Sequence, residues 1–196
     1  MCADGCNYPP KRTAFISLQE SDREVLEKIK KELKSEQPLK IIDQSKIGDK
    51  RGNGYSYNNM CTFYMYSGHI CHSLTNLGVV KNKSLVLEFP NINEELYSHF
   101  IRGYFDGDGS IYQNKNNNRI TITFTSTENF CKKLKEILEN KLDIYCGIYE
   151  SSCHNNITKV ASLSGASAIK LLNWMYADAD LYLQRKYNLY VEYTTI

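Results

Sequence analysis

At 196 residues, with 42% hydrophobic and 23% charged residues, the chain is long enough for one large or two small cores and is neither disordered nor fibrous in composition. A net charge of +2 excludes a histone-like polycation while leaving room for a locally basic face. No apolar run approaches the roughly 18 residues of a membrane span, the N-terminus lacks a signal-peptide pattern, and seven cysteines, an odd number in a chain too large to need staples, point to a reducing intracellular setting.

The chain reads as written twice. It opens on Ala3-Asp4-Gly5 and a polar stretch, after which Phe15, Ser17 and Gln19 alternate with Ile16 and Leu18, the period of a strand with one buried face. Val25, Leu26, Ile29 and Leu33 follow at helical spacing, with Asp22 as the candidate cap. Ser67-Gly68 then precedes a short amphipathic helix bearing Ile70, Leu74 and Leu77, and Lys83 comes after it.

The join is expected near Pro90 to Asn93, giving halves over residues 1–90 and 91–196. The second copy opens on a complete helix, with Asn93 as a cap candidate, Glu94 and Glu95 in its first turn, and Leu96, Phe100, Ile101 and Tyr104 along its apolar side. Gly103 and Gly107 lie four apart, a spacing that admits close approach of another helix. The helix is expected to stop at Gly109. Ile120, Ile122 and Phe124 then alternate with threonines; Phe130, Leu134, Ile137 and Leu138 return to helical spacing. Ser164-Gly165 again precedes a helix, with Ile169, Leu172 and Met175, and Lys186 follows. Each half therefore reads helix-β-β-helix-β-β-helix.

Asp108 falls at a helix C-terminus, where the macrodipole is negative and several carbonyls lack partners. Two such ends side by side would gather carboxylates and carbonyls, hard oxygens that suit Mg²⁺. An EF-hand register would require carboxylates where Tyr104 and Lys115 stand, and fails. Phosphate-cradling glycine loops open helices rather than close them. A plain Asp-Gly turn remains the simplest alternative, and the repeat at Asp4 favours metal. Cys2, Cys6, His69, Cys71, His72, Cys146, Cys153 and His154 lack the paired two-residue spacings of a zinc site. The 15 tyrosines and many asparagines supply stacking surfaces and base-reading groups, a bias that AT-rich coding would also produce.

The run IRGYFDGDG, from Ile101 to Gly109, resembles the signature of LAGLIDADG homing endonucleases, and Ala3-Asp4-Gly5 resembles the tail of a first copy. The two-copy layout and the closing YLQRK extend the resemblance over essentially the whole chain. By comparison with Leu96 to Phe105, about two turns of apolar helix are wanting ahead of Asp4, so the first motif reads as truncated. The resemblance implies an α+β fold, a pseudo-twofold pair of αββαββα halves whose antiparallel sheets form a DNA-binding saddle. It implies a site-specific double-strand endonuclease that hydrolyses phosphodiester bonds with Mg²⁺ or Mn²⁺, encoded in an intron, an intein or free-standing. The metal would be held by Asp108 with the Gly107 carbonyl and by Asp4 with the Ala3 carbonyl. Lys186 and Lys83 match the family's active-site lysines, and Gln19 and Arg23 match polar residues that order water. The second half offers Thr125 and Asn129 at those places.

Double-stranded DNA with a long recognition site is the expected partner, and a monomer the expected state, with a dimer as the alternative given the truncation. The contact surface is expected on the outward sides of the strands: Tyr8, Lys11, Arg12 and Thr13, then Lys46, Lys50, Arg51, Tyr55 and Tyr57. In the second half it comprises Tyr112, Gln113, Asn114, Lys115, Arg119, Thr121 and Thr123, then Tyr145, Tyr149, Ser151, Asn155 and Lys159. The alternative from another class is a non-cleaving nucleic-acid-binding derivative, such as an intron-splicing maturase that binds intron RNA, or a regulator.

Overall fold

The computed structural model describes residues 1–44, 58–114, 116–151 and 158–194, and the chain divides into two compact units, Met1–Lys81 and Asn82–Ile196. The first contains β1 (Gly5–Tyr8), β2 (Thr13–Gln19), α1 (Arg23–Glu32), β3 (Lys40–Ile42), β4 (Met60–Tyr66) and α2 (Gly68–Asn76). Its sheet is antiparallel, in the order β1-β2-β4-β3. Ile16 stands opposite Phe63 and Ala14 opposite Met65, so strand alternation turns these four to one face. There they form a core with Leu26 of α1, Cys61 and Cys71, and Ile29, Ile70 and Leu74 pack around it.

Two local expectations change. Leu33 is 49% exposed, because α1 ends at Glu32 and its apolar stripe ends with it. Asp22 occupies the N-cap position without making the capping bond. A short 3₁₀ turn over Glu20–Asp22 leads straight into α1 instead, and the Arg23 N–H donates to the Glu20 carbonyl. One polar residue of this unit, Asn7, is fully buried. Its amide donates to the carbonyls of Cys71 at 3.0 Å and Val79 at 2.8 Å, which fastens β1 to α2 and the segment beyond it.

The second unit contains α3 (Tyr97–Asp108), β5 (Ser110–Asn114), β6 (Arg119–Ser126), α4 (Glu128–Leu142), β7 (Gly147–Glu150), β8 (Lys159–Ser164), α5 (Ala166–Tyr176) and α6 (Gln184–Thr194). Its sheet repeats the same order, β5-β6-β8-β7. Ile122 faces Leu163 and Phe124 faces Ala161, and all four are at most 2% exposed. Thr127 caps α4 by accepting the Phe130 N–H at 3.2 Å, as Ser67 caps α2 through Ile70. Asn93 caps a 3₁₀ turn over Glu94–Leu96 that leads into α3. Leu96 sits in that turn, half exposed, so the buried side of α3 begins further on, at Ile101, Tyr104 and Phe105.

Residues just after Asn82 pack with this unit for a visible reason. Leu87 is 2% exposed, its carbonyl accepts the Thr127 hydroxyl at 2.5 Å, and the Phe89 ring lies 4.8 Å from Phe100 and 5.5 Å from Phe130. Tyr104 completes this aromatic cluster, 4.5 Å from Phe130, and donates its hydroxyl to the Thr125 carbonyl at 3.1 Å. Such ring pairs add about 0.5–1.5 kcal/mol each beyond the area they bury. Among the described residues no helix is long and apolar enough to cross a membrane.

Cys146 gives this core a pH signature. Burial pushes its thiol up to about 12 from an ordinary 9.0. Between those values the unfolded chain releases the proton while the folded chain keeps it, so folding stability is present below pH 9.0 and is lost as pH rises above it. The expected slope from this group is at most about 1.4 kcal/mol per pH unit. Urea unfolding on both sides of pH 9.0 should show that slope in the wild type and a shallower one in Cys146→Ala; equal slopes would contradict the assignment.

Candidate functional site

Asp108 is the last residue of α3 and is exposed, with Gly107 partly buried beside it. Gly109 is the C-cap, and its N–H donates to the Phe105 carbonyl at 2.9 Å. A Cβ on Gly109 would lie 2.4 Å from Phe105 Cδ2 and 2.7 Å from the Phe105 carbonyl oxygen, so only glycine fits this stop. The first unit repeats the arrangement in miniature. Asp4 is exposed in a turn over residues 2–4, and a Cβ on Gly5 would lie 2.5 Å from Met1 Cα and 2.7 Å from the Met1 carbonyl oxygen. Ser17 N–H donates to the Asp4 carbonyl at 3.3 Å. In both units the residue after the aspartate is where the chain four positions back closes on the strand entry.

Lys186 meets the same helix end from α6. Its ammonium, 4% exposed, donates to the carbonyls of Phe105 and, at 2.5 Å, Gly109, and stands 4.8 Å from the Phe105 ring centroid. A helix C-terminus leaves carbonyls without intrahelical partners and carries a negative dipole end. A lysine there answers both, and it flanks Asp108 on either side along the backbone.

Behind this end lies a second set of polar contacts. Arg102, 6% exposed, donates to the carbonyls of Met175 at 2.8 Å and Leu181 at 3.0 Å. Asp106, one turn on, accepts the Tyr176 hydroxyl at 3.0 Å and the Leu183 N–H at 2.9 Å. Burial pushes the Asp106 carboxyl above its ordinary range, against the pull of Leu183, Tyr176, Lys186 and Arg102. Burial likewise lowers the Arg102 guanidinium and raises the Tyr176 phenol. Asp180 lies ahead of the start of α6 at Gln184, and it is Asp106 of α3 that holds the entry to α6.

The other expected site residues lie on other elements. Lys83 falls in the second unit and is 8% exposed at the start of a 3₁₀ turn. Gln19 is exposed at the end of β2, and Asn58 donates to its side chain at 3.4 Å. Arg23 pairs with Glu27 at 3.0 Å along α1, half exposed, a surface pair of small energetic weight. Thr125 is exposed on β6, and Asn129 donates to Glu88 at 3.5 Å.

Strand register sorts the expected nucleic-acid face. On sheet β5-β6-β8-β7 the side away from the core carries Tyr112, opposite Thr121, and Asn114, opposite Arg119, with Thr123 and Tyr149; Tyr112 and Tyr149 are both more than half exposed. Gln113 stands opposite Ile120, hence on the core side, and donates to the Asn118 carbonyl. Ser151, just past the end of β7, is 3% exposed. Tyr145 lies outside the strands, with the Lys135 ammonium of α4 4.9 Å from its ring. Lys159 is paired with Glu150, which withdraws it from an open surface.

In the first unit Lys11 and Arg12 are exposed and Thr13 lies opposite Tyr8. The Tyr8 ring has the ammonium groups of Lys11 and Lys81 within 5.9 Å. Lys46, Lys50, Arg51, Tyr55, Tyr57, Lys115 and Asn155 lie outside the described residues. Tyr64 and Tyr66 join this face although no sequence pattern above singled them out; they alternate with the buried Phe63 and Met65. Tyr64 stacks on Tyr66 at 5.9 Å and contacts Phe15 at 5.4 Å, on the side of the sheet away from its helices.

A sequence profile for the LAGLIDADG-like domain matches residues 95–173, from the turn before α3 into α5. That stretch of the chain is similar to a LAGLIDADG-like domain. The chain is also 30% identical over 122 residues, 58% of its length, to the DNA-directed RNA polymerase subunit Rpo1C of Methanocaldococcus jannaschii, and spans 12% of that subunit. Among solved structures, the meganuclease I-SmaMI bound to uncleaveable DNA superposes with a TM-score of 0.59 at 11% identity, covering 99% of this chain and 86% of that one. I-SmaMI bound to uncleaved DNA in the presence of calcium ions gives a TM-score of 0.58 at 11% identity over the same shares of each chain. Full-length WhiA from Thermatoga maritima gives 0.57 at 17% identity, covering 98% of this chain and 56% of that chain. The chain thus has the fold of these proteins, and the Asp108 end of α3 lies within the matched residues.

Lys186 carries part of the stability of that helix end. Replacing it with methionine leaves the Phe105 and Gly109 carbonyls without this donor, a loss of about 1–3 kcal/mol. Thermal unfolding should show a clearly lowered Tm for Lys186→Met, whereas replacement of the exposed Lys170 by methionine should leave Tm nearly unchanged.

Proposed function

We propose that this protein is a site-specific DNA endonuclease of the homing type that cuts both strands with a divalent metal ion, and that Asp108 is the metal-holding carboxylate of its second half. The observation that supports this most directly is the helix end itself. An exposed carboxylate is held at a helix C-terminus, where the dipole disfavours it by roughly 0.3–1 kcal/mol, and a buried lysine from a different helix fixes the carbonyls around it. A fold with no use for that charge gains nothing by keeping it there.

The donor set fits magnesium or manganese. Asp108 and the Gly107 carbonyl are hard oxygens, and among the described residues no group of three His, Cys, Asp or Glu could hold an ion without outside ligands. Mg²⁺ is commonly held by one or two carboxylates together with waters and phosphate oxygens. When bound, such an ion supplies a nucleophilic water and stabilises charge developing on the phosphate. The protein's own groups do the rest. Asp108 offers negative charge at an exposed point, Gly109 ends the helix so that the chain turns at once into β5, and Lys186 keeps that turn from shifting. Asp4, with the Ala3 carbonyl and the matching closure at Gly5, is the corresponding group of the first half. Lys83, Gln19 and Arg23 belong to the same reading as outer members that act on water or phosphate.

Double-stranded DNA is the proposed partner, and the I-SmaMI structure of the same fold is bound to DNA. The face carrying Tyr112, Asn114, Arg119, Thr121, Thr123 and Tyr149 combines amide, hydroxyl and guanidinium groups able to read base edges. Lys11, Arg12 and Thr13, with Tyr8, serve the first half, the cations on phosphates.

The test uses the full chain, a randomised duplex library and Mg²⁺, with cut ends captured and sequenced. A recurring double-strand cut is expected, lost by about two orders of magnitude or more in Asp108→Asn, while duplex binding persists and weakens steeply with salt. Binding without any cut, in the wild type as in the variant, would instead favour the non-cleaving nucleic-acid-binding reading.

A further inference from the structure

Asp106 stands two residues before the exposed aspartate, turned the other way. Its carboxylate has no part in the chemistry assigned to Asp108, yet it is partly buried and engaged on both oxygens. One accepts the Tyr176 hydroxyl at 3.0 Å, the other the Leu183 N–H at 2.9 Å. Leu183 is 4% exposed and is the residue on which α6 starts, since its carbonyl receives the N–H groups of both Lys186 and Tyr187 at 3.0 Å. One turn further along, Lys186 reaches back to the Phe105 and Gly109 carbonyls.

The two helix ends therefore cap each other. α3 lends a carboxylate to the entry of α6, and α6 lends an ammonium to the exit of α3. Unsatisfied termini are costly when buried, and here each is satisfied by the other. Arg102, four residues before Asp106 and so on the same side of α3, holds the Leu181 carbonyl and keeps the linker from drifting between its two anchor points.

We propose that Asp106 is a positioning residue for Lys186: by holding the Leu183 N–H it fixes the first turn of α6, and through it the place of the ammonium at the Asp108 helix end. The part of this that concerns catalysis rests on the endonuclease reading; the part that concerns geometry does not.

The test is amine labelling of the folded full chain with acetic anhydride, read residue by residue by mass spectrometry. Lys186 is expected to resist labelling in the wild type and exposed Lys170 to react. Asp106→Ala should raise labelling of Lys186 by about tenfold or more, a change comparable to losing a supporting partner at a site, with Lys170 unchanged. Asp106→Asn should restore protection, because the amide oxygen can accept from Leu183 while its N–H donates to a Tyr176 hydroxyl that turns to accept. A folded Asp106→Ala chain with Lys186 still protected overturns the proposal. Should Asp106→Ala fail to fold, Asp106→Leu, which keeps the shape of the side chain but cannot accept the Leu183 N–H, takes its place, and wild-type protection of Lys186 there overturns the proposal.

Labelling needs no nuclease activity, so failure of the endonuclease reading leaves this outcome legible. On a chain that cuts DNA, Asp106→Ala should slow single-turnover cleavage by about 10- to 100-fold, and adding it to Lys186→Ala should cost nothing further. Losses that multiply would show Asp106 acting independently of Lys186 and overturn the positioning role.

Discussion

The second unit turns on how the C-terminus of α3 is satisfied. A helix that ends in the interior must find donors for its last carbonyls, and this one must do so while leaving Asp108 exposed. Lys186 supplies the donors, and its ammonium also opposes the negative end of the helix dipole, which an aspartate alone would aggravate. The same requirement explains Gly109, whose place against Phe105 tolerates no Cβ. It explains why α6 follows α5 in this unit, beyond the αββαββα pattern expected of each half. Without α6 the buried cation would have no element to carry it.

The two units share a topology and differ in what their sheets present. Both run in the order edge, centre, centre, edge with the second and fourth strands paired at the middle, and both bury one face under helices. On the other face the second unit offers threonines, an asparagine and an arginine in register, groups with directional hydrogen bonds. The first unit offers the Phe15–Tyr64–Tyr66 rings among lysines and arginine. Hydrogen-bonding groups distinguish base edges, whereas ring faces are tolerant of sequence.

Much of this was legible in the residue order. The repeat of a small residue, Asp and Gly, the alternation of Ile120, Ile122 and Phe124, and the glycine stop at the end of α3 each depend on neighbours a few positions away, and each stands where the pattern put it. The misplacements share a cause. Gln113 reads as a polar strand residue, and only its pairing with Ile120 shows that it faces inward. Ser151 and Lys159 read as solvated, but Ser151, just past β7, is buried and Glu150 lies across the ladder from Lys159. Lys83 reads as a residue of the first copy, yet it is buried and belongs to the second unit.

The sequence by itself determined the α3 helix, the aspartate at its end, the doubled helix-β-β-helix-β-β-helix plan and Lys186 as a residue of interest, because period, cap and spacing are short-range properties. The tertiary structure decided what Lys186 holds, that Asp106 faces Leu183 and Tyr176, that Arg102 closes the end of α5, and which polar strand residues look outward. Those contacts join positions 70 to 81 residues apart, and no local pattern encodes which buried carbonyl will find which distant donor; packing of the whole unit settles it.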